Sequence, residues 1–221
     1  MSQYSTGTAK LKGAAPQSSP LLLRPRAASD FDSREQLVRL LEEQGGPEQP
    51  EETEKAPTLA PRGVSLPLYA FFSYAARNLD KNDKRLWPFV NRLLGSSANS
   101  CVESTRIFRL TDWAVREVSP LALEANGLLT EAASLRQLAP VNDESSADAA
   151  RIASDSIASS WAGTRSVFAA SWAAKSANNN SWTAGIYAEI ASERAIEAGA
   201  DREILLNMQV VLLDELCPPP C

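Results

Sequence analysis

SSADAARIASDSIASSWAGTRSVFAASWAAKSANNNSWTAGIYAEIASERAIEAGA, residues 145–200, is the stretch whose reading decides the fold. Nearly every third residue is alanine, serine fills many of the other positions, and Trp161, Trp172 and Trp182 stand at intervals. Alanine has the best intrinsic helix propensity, so the stretch is helical wherever proline and glycine allow. Small side chains let helices approach closely, and an indole fills the space a neighbour leaves. Ser145 and Asp148 approximate a capping box. They predict a helix opening there and running unbroken to about Ala177. Asn178-Asn179-Asn180 breaks it, because asparagine tolerates left-handed geometry and competes for backbone hydrogen bonds. The eleven-residue step from Trp161 to Trp172 makes about three turns and puts both indoles on nearly the same face of that helix, as packing anchors.

Downstream, Ser181 caps a helix to about Ala198 with Gly199 at its end. Asp201 caps the last one, which carries Ile204, Leu205, Met208, Val211, Leu212 and Leu216 until Pro218. Upstream, Pro67 suits a first helical turn, followed by Tyr69, Phe71, Phe72 and Tyr74, with a turn at residues 80–83. Trp87-Pro88 opens a helix through Phe89, Val90, Leu93 and Leu94, closed by Gly95. A longer helix spans about Asn99 to Val118, on a stripe of Ile107, Leu110, Ala114 and Val118. Pro120 interrupts it, Leu121–Asn126 makes a short helix ended by Gly127, and Leu128–Leu138 makes another before the turn at residues 139–143. No segment alternates with a two-residue period. The fold class is all-α, an irregular multi-helix bundle or helical array over residues 64–217, with residues 218–221 as a C-terminal tail.

The first third of the chain reads differently. Residues 1–29 are rich in Ser, Thr, Ala, Gly and Pro, contain Lys10, Lys12, Arg24 and Arg26, and have no acidic residue. That composition overlaps with organellar transit peptides. The absence of an amphipathic Arg-rich pattern, with Pro16, Pro20 and Pro25, favours a disordered flexible arm. Asp32 and Glu35 then have capping-box spacing, Leu37, Val38, Leu40 and Leu41 form an apolar stripe, and Gly45-Gly46 supplies a stop. Residues 30–45 thus read as a short isolated amphipathic helix. A free helix of this length is marginal in water, so it must pack on the domain or on a partner. Residues 46–63 alternate Pro47, Pro50, Pro57 and Pro61 with Glu48, Glu51, Glu52 and Glu54, a tether too polar to fold.

Composition removes several kinds of chemistry. The chain has 221 residues, a net charge of -5 and no histidine. Without imidazole there is no serine–histidine or cysteine–histidine nucleophile pair, and the commonest metal ligand is missing. The acidic balance lacks the basic footprint of a nucleic-acid binder. No apolar run approaches the roughly 20 residues that cross a bilayer. Three cysteines, Cys101, Cys217 and Cys221, fit a reducing compartment better than a disulfide framework. Cytoplasmic localisation is the expectation.

Candidate chemistry is sparse. Three prolines between Cys217 and Cys221 favour an extended geometry of about 3.1 Å per residue. The two Cα atoms then lie about 12 Å apart, beyond the roughly 7 Å reach of a disulfide. The pair reads as an exposed end after a helix stop. Glu189 and Glu193 read as part of a solvated helix face. The most interesting polar set is Arg109, Asp112 and Arg116, whose i,i+3 and i,i+4 spacings let one carboxylate bridge two guanidinium groups as an intrahelical ladder. No phosphate loop, nucleophile elbow or EF-hand motif is present. No catalytic, cofactor-binding or metal-binding residue is expected.

The runs Leu86-Trp-Pro-Phe-Val-Asn-Arg-Leu-Leu-Gly95, Asp112-Trp113-Ala114 and Leu138–Asp143, with the Ala/Trp-rich helices and the closing Leu212-Leu-Asp-Glu-Leu216, resemble poorly characterised bacterial Ala/Trp-rich helical proteins. More distantly they are similar to all-helical immunity proteins of polymorphic toxin systems. The likeness covers about residues 86–216, with more serine and asparagine here and less alanine and tryptophan. It implies a protein-binding role and names no catalytic residue. The expectation is a non-enzymatic inhibitor or adaptor that covers another protein sterically, a basic one gaining on-rate from the negative charge. Leu37, Leu40 and Leu41 are the candidate anchors. The alternatives are a structural subunit of an assembly, and a small-molecule binder with a pocket among Trp87, Trp113 and Trp161. The oligomeric state stays open.

Overall fold

The computed structural model describes residues 63–76, 83–160, 164–179 and 181–219. They form α-helices throughout, with no strand among them: α1 (Leu66–Ala75), α2 (Trp87–Leu93), α3 (Ser100–Asp112), a π-helical segment (Trp113–Val118), α4 (Ser119–Ala125), α5 (Leu129–Arg136), α6 (Glu144–Ser160), α7 (Arg165–Asn178), α8 (Thr183–Glu197) and α9 (Arg202–Leu216). The expected arm, the isolated helix with Leu37, Leu40 and Leu41, and the tether lie outside the described residues.

The alanine-rich stretch makes three neighbouring antiparallel helices. Asp148 of α6 faces Asn178 of α7, and Asp155 faces Ser171, so the two helices run in opposite directions. Ser166 of α7 donates to the Ala191 carbonyl of α8 at 2.8 Å, and near the other end Thr183 donates to Ser176 at 3.0 Å. The facing rows are small: Ala147, Ala150 and Ser154 on α6, Ala170, Ala173, Ala174 and Ala177 on α7, Ala184, Ala188, Ala191 and Ala195 on α8, all buried. Alanine gives the helix propensity, and its small side chain gives the close approach. Gly185 carries this furthest. A Cβ there would lie 2.3 Å from the Pro67 carbonyl oxygen of α1.

The unbroken helix to Ala177 is corrected: α6 stops at Ser160, and α7 begins after Thr164, which has non-helical backbone angles. Propensity summed over alanines cannot see where a chain must reverse to bury its small-residue faces on one another. Trp161 lies outside the described residues, so its sharing a face with Trp172 has no common helix to rest on. The cap is displaced as well. Asp143, two residues before the expected Ser145, accepts from the Ser146 N–H at 2.7 Å, and its own N–H donates to Ser146 Oγ at 3.1 Å. That exchange is a capping box with serine in the third helical position. Asn99 and Asp201 cap α3 and α9 with their side chains, the latter as expected.

Pro120 does not interrupt the long helix. Backbone continues from α3 through the π segment into α4, where Pro120 sits in the first turn. A proline has no N–H, and its ring clashes with the carbonyl four residues earlier in an α-helix. The wider π turn just before it relieves that conflict. The Ser119 N–H bonds to the Ala114 carbonyl five residues back, and Ser119 Oγ donates to the same oxygen at 2.9 Å. The π segment also sets Trp113 in the centre of the core, fully buried and edge-on to Phe71 at 5.3 Å.

Around the three-helix layer, α1, α3, the π segment and α4 pack on α8, and the last three also contact α7. Helix α9 closes the bundle through Leu205, Leu212 and Leu213 and is held at its rim by Arg85–Glu203, Arg92–Asp214 and Arg109–Glu215. Cys217 is buried rather than exposed, and burial pushes its thiol pKa up against the lowering effect of Arg106 and Arg92. Cys101 is exposed, and Cys221 lies outside the described residues.

Candidate functional site: a polar cluster and an apolar groove

The residues Arg109, Asp112 and Arg116 come together as the intrahelical ladder, and the same carboxylate is also a tertiary junction. Asp112 is buried at the end of α3. It accepts from Arg116 at 3.0 Å, stands 3.7 Å from Arg109, and accepts from the backbone N–H of Val141 at 2.9 Å. The carboxylate therefore pins the turn that precedes α6. Arg109 continues outward to Glu117 and Glu215, each at 2.9 Å, which links α3, the π segment and α9. The carboxylates favour its charged form and raise its pKa against a burial penalty that is the largest single effect. The charges of this set pair with one another within the chain, while the buried Nε of Arg116 has no hydrogen-bond partner. The cluster ties the turn before α6 to α3, the π segment and α9.

Glu189 is likewise corrected from a solvated position to a buried one, 1 % exposed. Gln209 of α9 donates to it at 2.7 Å and to Ser192 at 3.2 Å. A carboxylate on a helix enclosed by α1, α7 and α9 is buried by its neighbours, and no spacing within α8 signals that. Trp113 is sealed in the core while Trp87 lies at the surface, and Trp161 is outside the described residues. Leu37, Leu40 and Leu41 are outside them too.

A groove between α6 and α7 went unnoticed in the sequence. Its volume is about 560 Å³, and it is lined by Arg151, Ile152, Asp155, Ser156 and Ser159 of α6 and by Phe168 of α7. Ile152 and Phe168, each 55 % exposed, are two large apolar side chains that share one concavity. Phe168 continues into an aromatic row: it meets Trp172 edge-on at 6.1 Å, and Trp172 stacks on Tyr187 of α8 at 5.8 Å. Lys175 sits 4.3 Å over the Trp172 ring. On the polar side, Arg151 bonds Asp148 and Asp155, each at 2.9 Å, and Asp155 also accepts from Ser171. The Asp148 bond is the main cause that raises the pKa of the Arg151 guanidinium above its ordinary value. Ile152 sits beside Arg151 in a helix read only for its alanines, and Phe168 lies past the unforeseen break. With α6 and α7 read as one helix, no groove between them could be foreseen.

Among the described residues no group of three or more Cys, Asp or Glu side chains is placed to hold a metal ion, and no helix is long and apolar enough to cross a membrane. The chain matches no protein-family model, no curated protein and no solved structure.

Proposed function

We propose that this chain is a non-enzymatic protein-binding module, an immunity-type inhibitor or adaptor, that docks a partner on the groove between α6 and α7. The observation carrying this reading is the pair Ile152 and Phe168, half-exposed on two helices that the alanine rows hold against each other. Rigid helices presenting apolar side chains around a concavity suit an amphipathic helix laid into the groove. Arg151 and Asp155 at the rim would orient it, and the aromatic row from Phe168 to Tyr187 extends the contact surface. Inhibition would be steric. The net charge of -5 would raise the on-rate of a basic partner.

The test is quantitative affinity capture with the full chain and with the double variant Ile152→Asp, Phe168→Asp. The expected result is a partner retained by the wild type and depleted at least tenfold by the variant, whose thermal midpoint stays close to that of the wild type. Both side chains point mostly to solvent, so the fold should tolerate the change. Identical captured sets would overturn the groove as the docking surface.

A further inference from the structure

We propose that the groove between α6 and α7 has an occupant in its own chain: the amphipathic segment of residues 32–44, docked through Leu37, Leu40 and Leu41 over Ile152 and Phe168, which a partner must displace. The reach of the tether and the apolar pattern of the segment point to this occupant.

The described structure begins at Gly63, and the segment ends 18 residues earlier, after Gln44. Extended, such a tether reaches about 60 Å. A helical domain of this size has a radius of gyration of about 15 Å and is thus roughly 40 Å across. Every face is within reach. Tethering also sets the local concentration in the millimolar range, so even a weak contact is populated.

The segment's pattern fits the cavity. Leu37 and Leu41 are one turn apart with Leu40 beside them, the anchor spacing of a helix seated in an apolar groove. A lone three-turn helix is marginal in water and needs such a surface. The groove offers the two large apolar side chains that α6 and α7 leave half-exposed.

The proline- and glutamate-rich tether has too little apolar surface to compete for the cavity.

The regulatory half of the proposal, release by a partner, rests on the groove being the docking surface argued above; occupancy by residues 32–44 does not. Hydrogen exchange on the full chain tests occupancy. Amides of residues 34–44 should exchange at least tenfold more slowly in the wild type than in the Ile152→Asp, Phe168→Asp variant. A synthetic peptide of residues 30–45 should bind the full chain carrying Leu37→Asp and Leu41→Asp, whose groove is vacated, and should not bind the groove variant. Fast exchange over residues 34–44 in the wild type, or slow exchange that the groove variant leaves unchanged, would overturn the proposal. So would exchange that slows only with rising protein concentration, which would assign the groove to a second copy. If exchange depends on the groove but no protein is captured through it, docking of a partner fails and self-occupancy stands. If capture depends on the groove but residues 34–44 exchange freely, the reverse holds.

Discussion

Gly185 shows how far a single side chain decides the packing of this molecule. In an isolated helix, glycine to alanine is a gain of about 0.5–1 kcal/mol. Here the new Cβ would meet the Pro67 carbonyl at 2.3 Å and the Phe71 nitrogen at 3.2 Å, both backbone atoms of α1. Gly185→Ala should therefore lose about 2 kcal/mol through overpacking. In a domain of this size that lowers the melting midpoint by roughly 4–8 °C, readable by circular dichroism. An unchanged or raised midpoint would mean that α1 and α8 do not approach this closely. Asp112 and Glu189 make a related point about legibility. The sequence singled out Asp112 with Arg109 and Arg116, and the three do meet. What it could not contain is the Val141 N–H, 29 positions away, or the Gln209 amide that meets Glu189 from α9. Local spacing finds charge pairs along one helix; burial is conferred by other helices.

At the scale of elements, caps and breakers were the readable signals where their geometry was local. Asp201 and the glycine after α8 stand where expected, and Trp87-Pro88 opens α2. The start of α6 was two residues off, because Asp143-Glu-Ser-Ser146 places serine where a capping box usually has glutamate or glutamine. That cap has a pH signature. The hydroxyl and N–H of Ser146 hold the Asp143 carboxyl below its ordinary value of 3.8. A lowered pKa in the folded state gives stability that is present above the unfolded value and disappears as the pH falls through the folded one. Asparagine caps about as well as aspartate but carries no charge for the helix dipole. Asp143→Asn should thus be less stable than the wild type at neutral pH, with a difference that shrinks as the pH drops below about 4. Denaturant melts across that range check it, and a difference constant with pH would remove the carboxylate from the cap.

For the whole molecule, the all-α class was legible in one composition-rich stretch, whereas the site was not. Helix propensity and the absence of two-residue alternation are sums over many residues and survive local errors. A groove depends on where two particular helices separate, and misplacing one reversal hides it. The small-residue faces of α6, α7 and α8 are spent on one another, and α9 packs against α1 and α8. An inhibitor or adaptor of this build should be a monomer near 23.9 kDa in light scattering. A stable dimer or larger species would move the balance to the assembly-subunit alternative.

The π segment carries a consequence for angular phase. Leu110, Ala114, Val118 and Ala122 are all buried, three successive steps of four. On an α-helix each such step overshoots a full turn by about 40°, so the row would wind about 120° around the axis and carry Ala122 away from the core. One surplus residue, stored ahead of Pro120, unwinds that drift and keeps the row aimed inward. Deleting a single residue from 113–118 would then take out the surplus and leave α4 in nearly its present phase on an ordinary α-helix, at the cost of the Pro120 ring clash that the wide turn relieves.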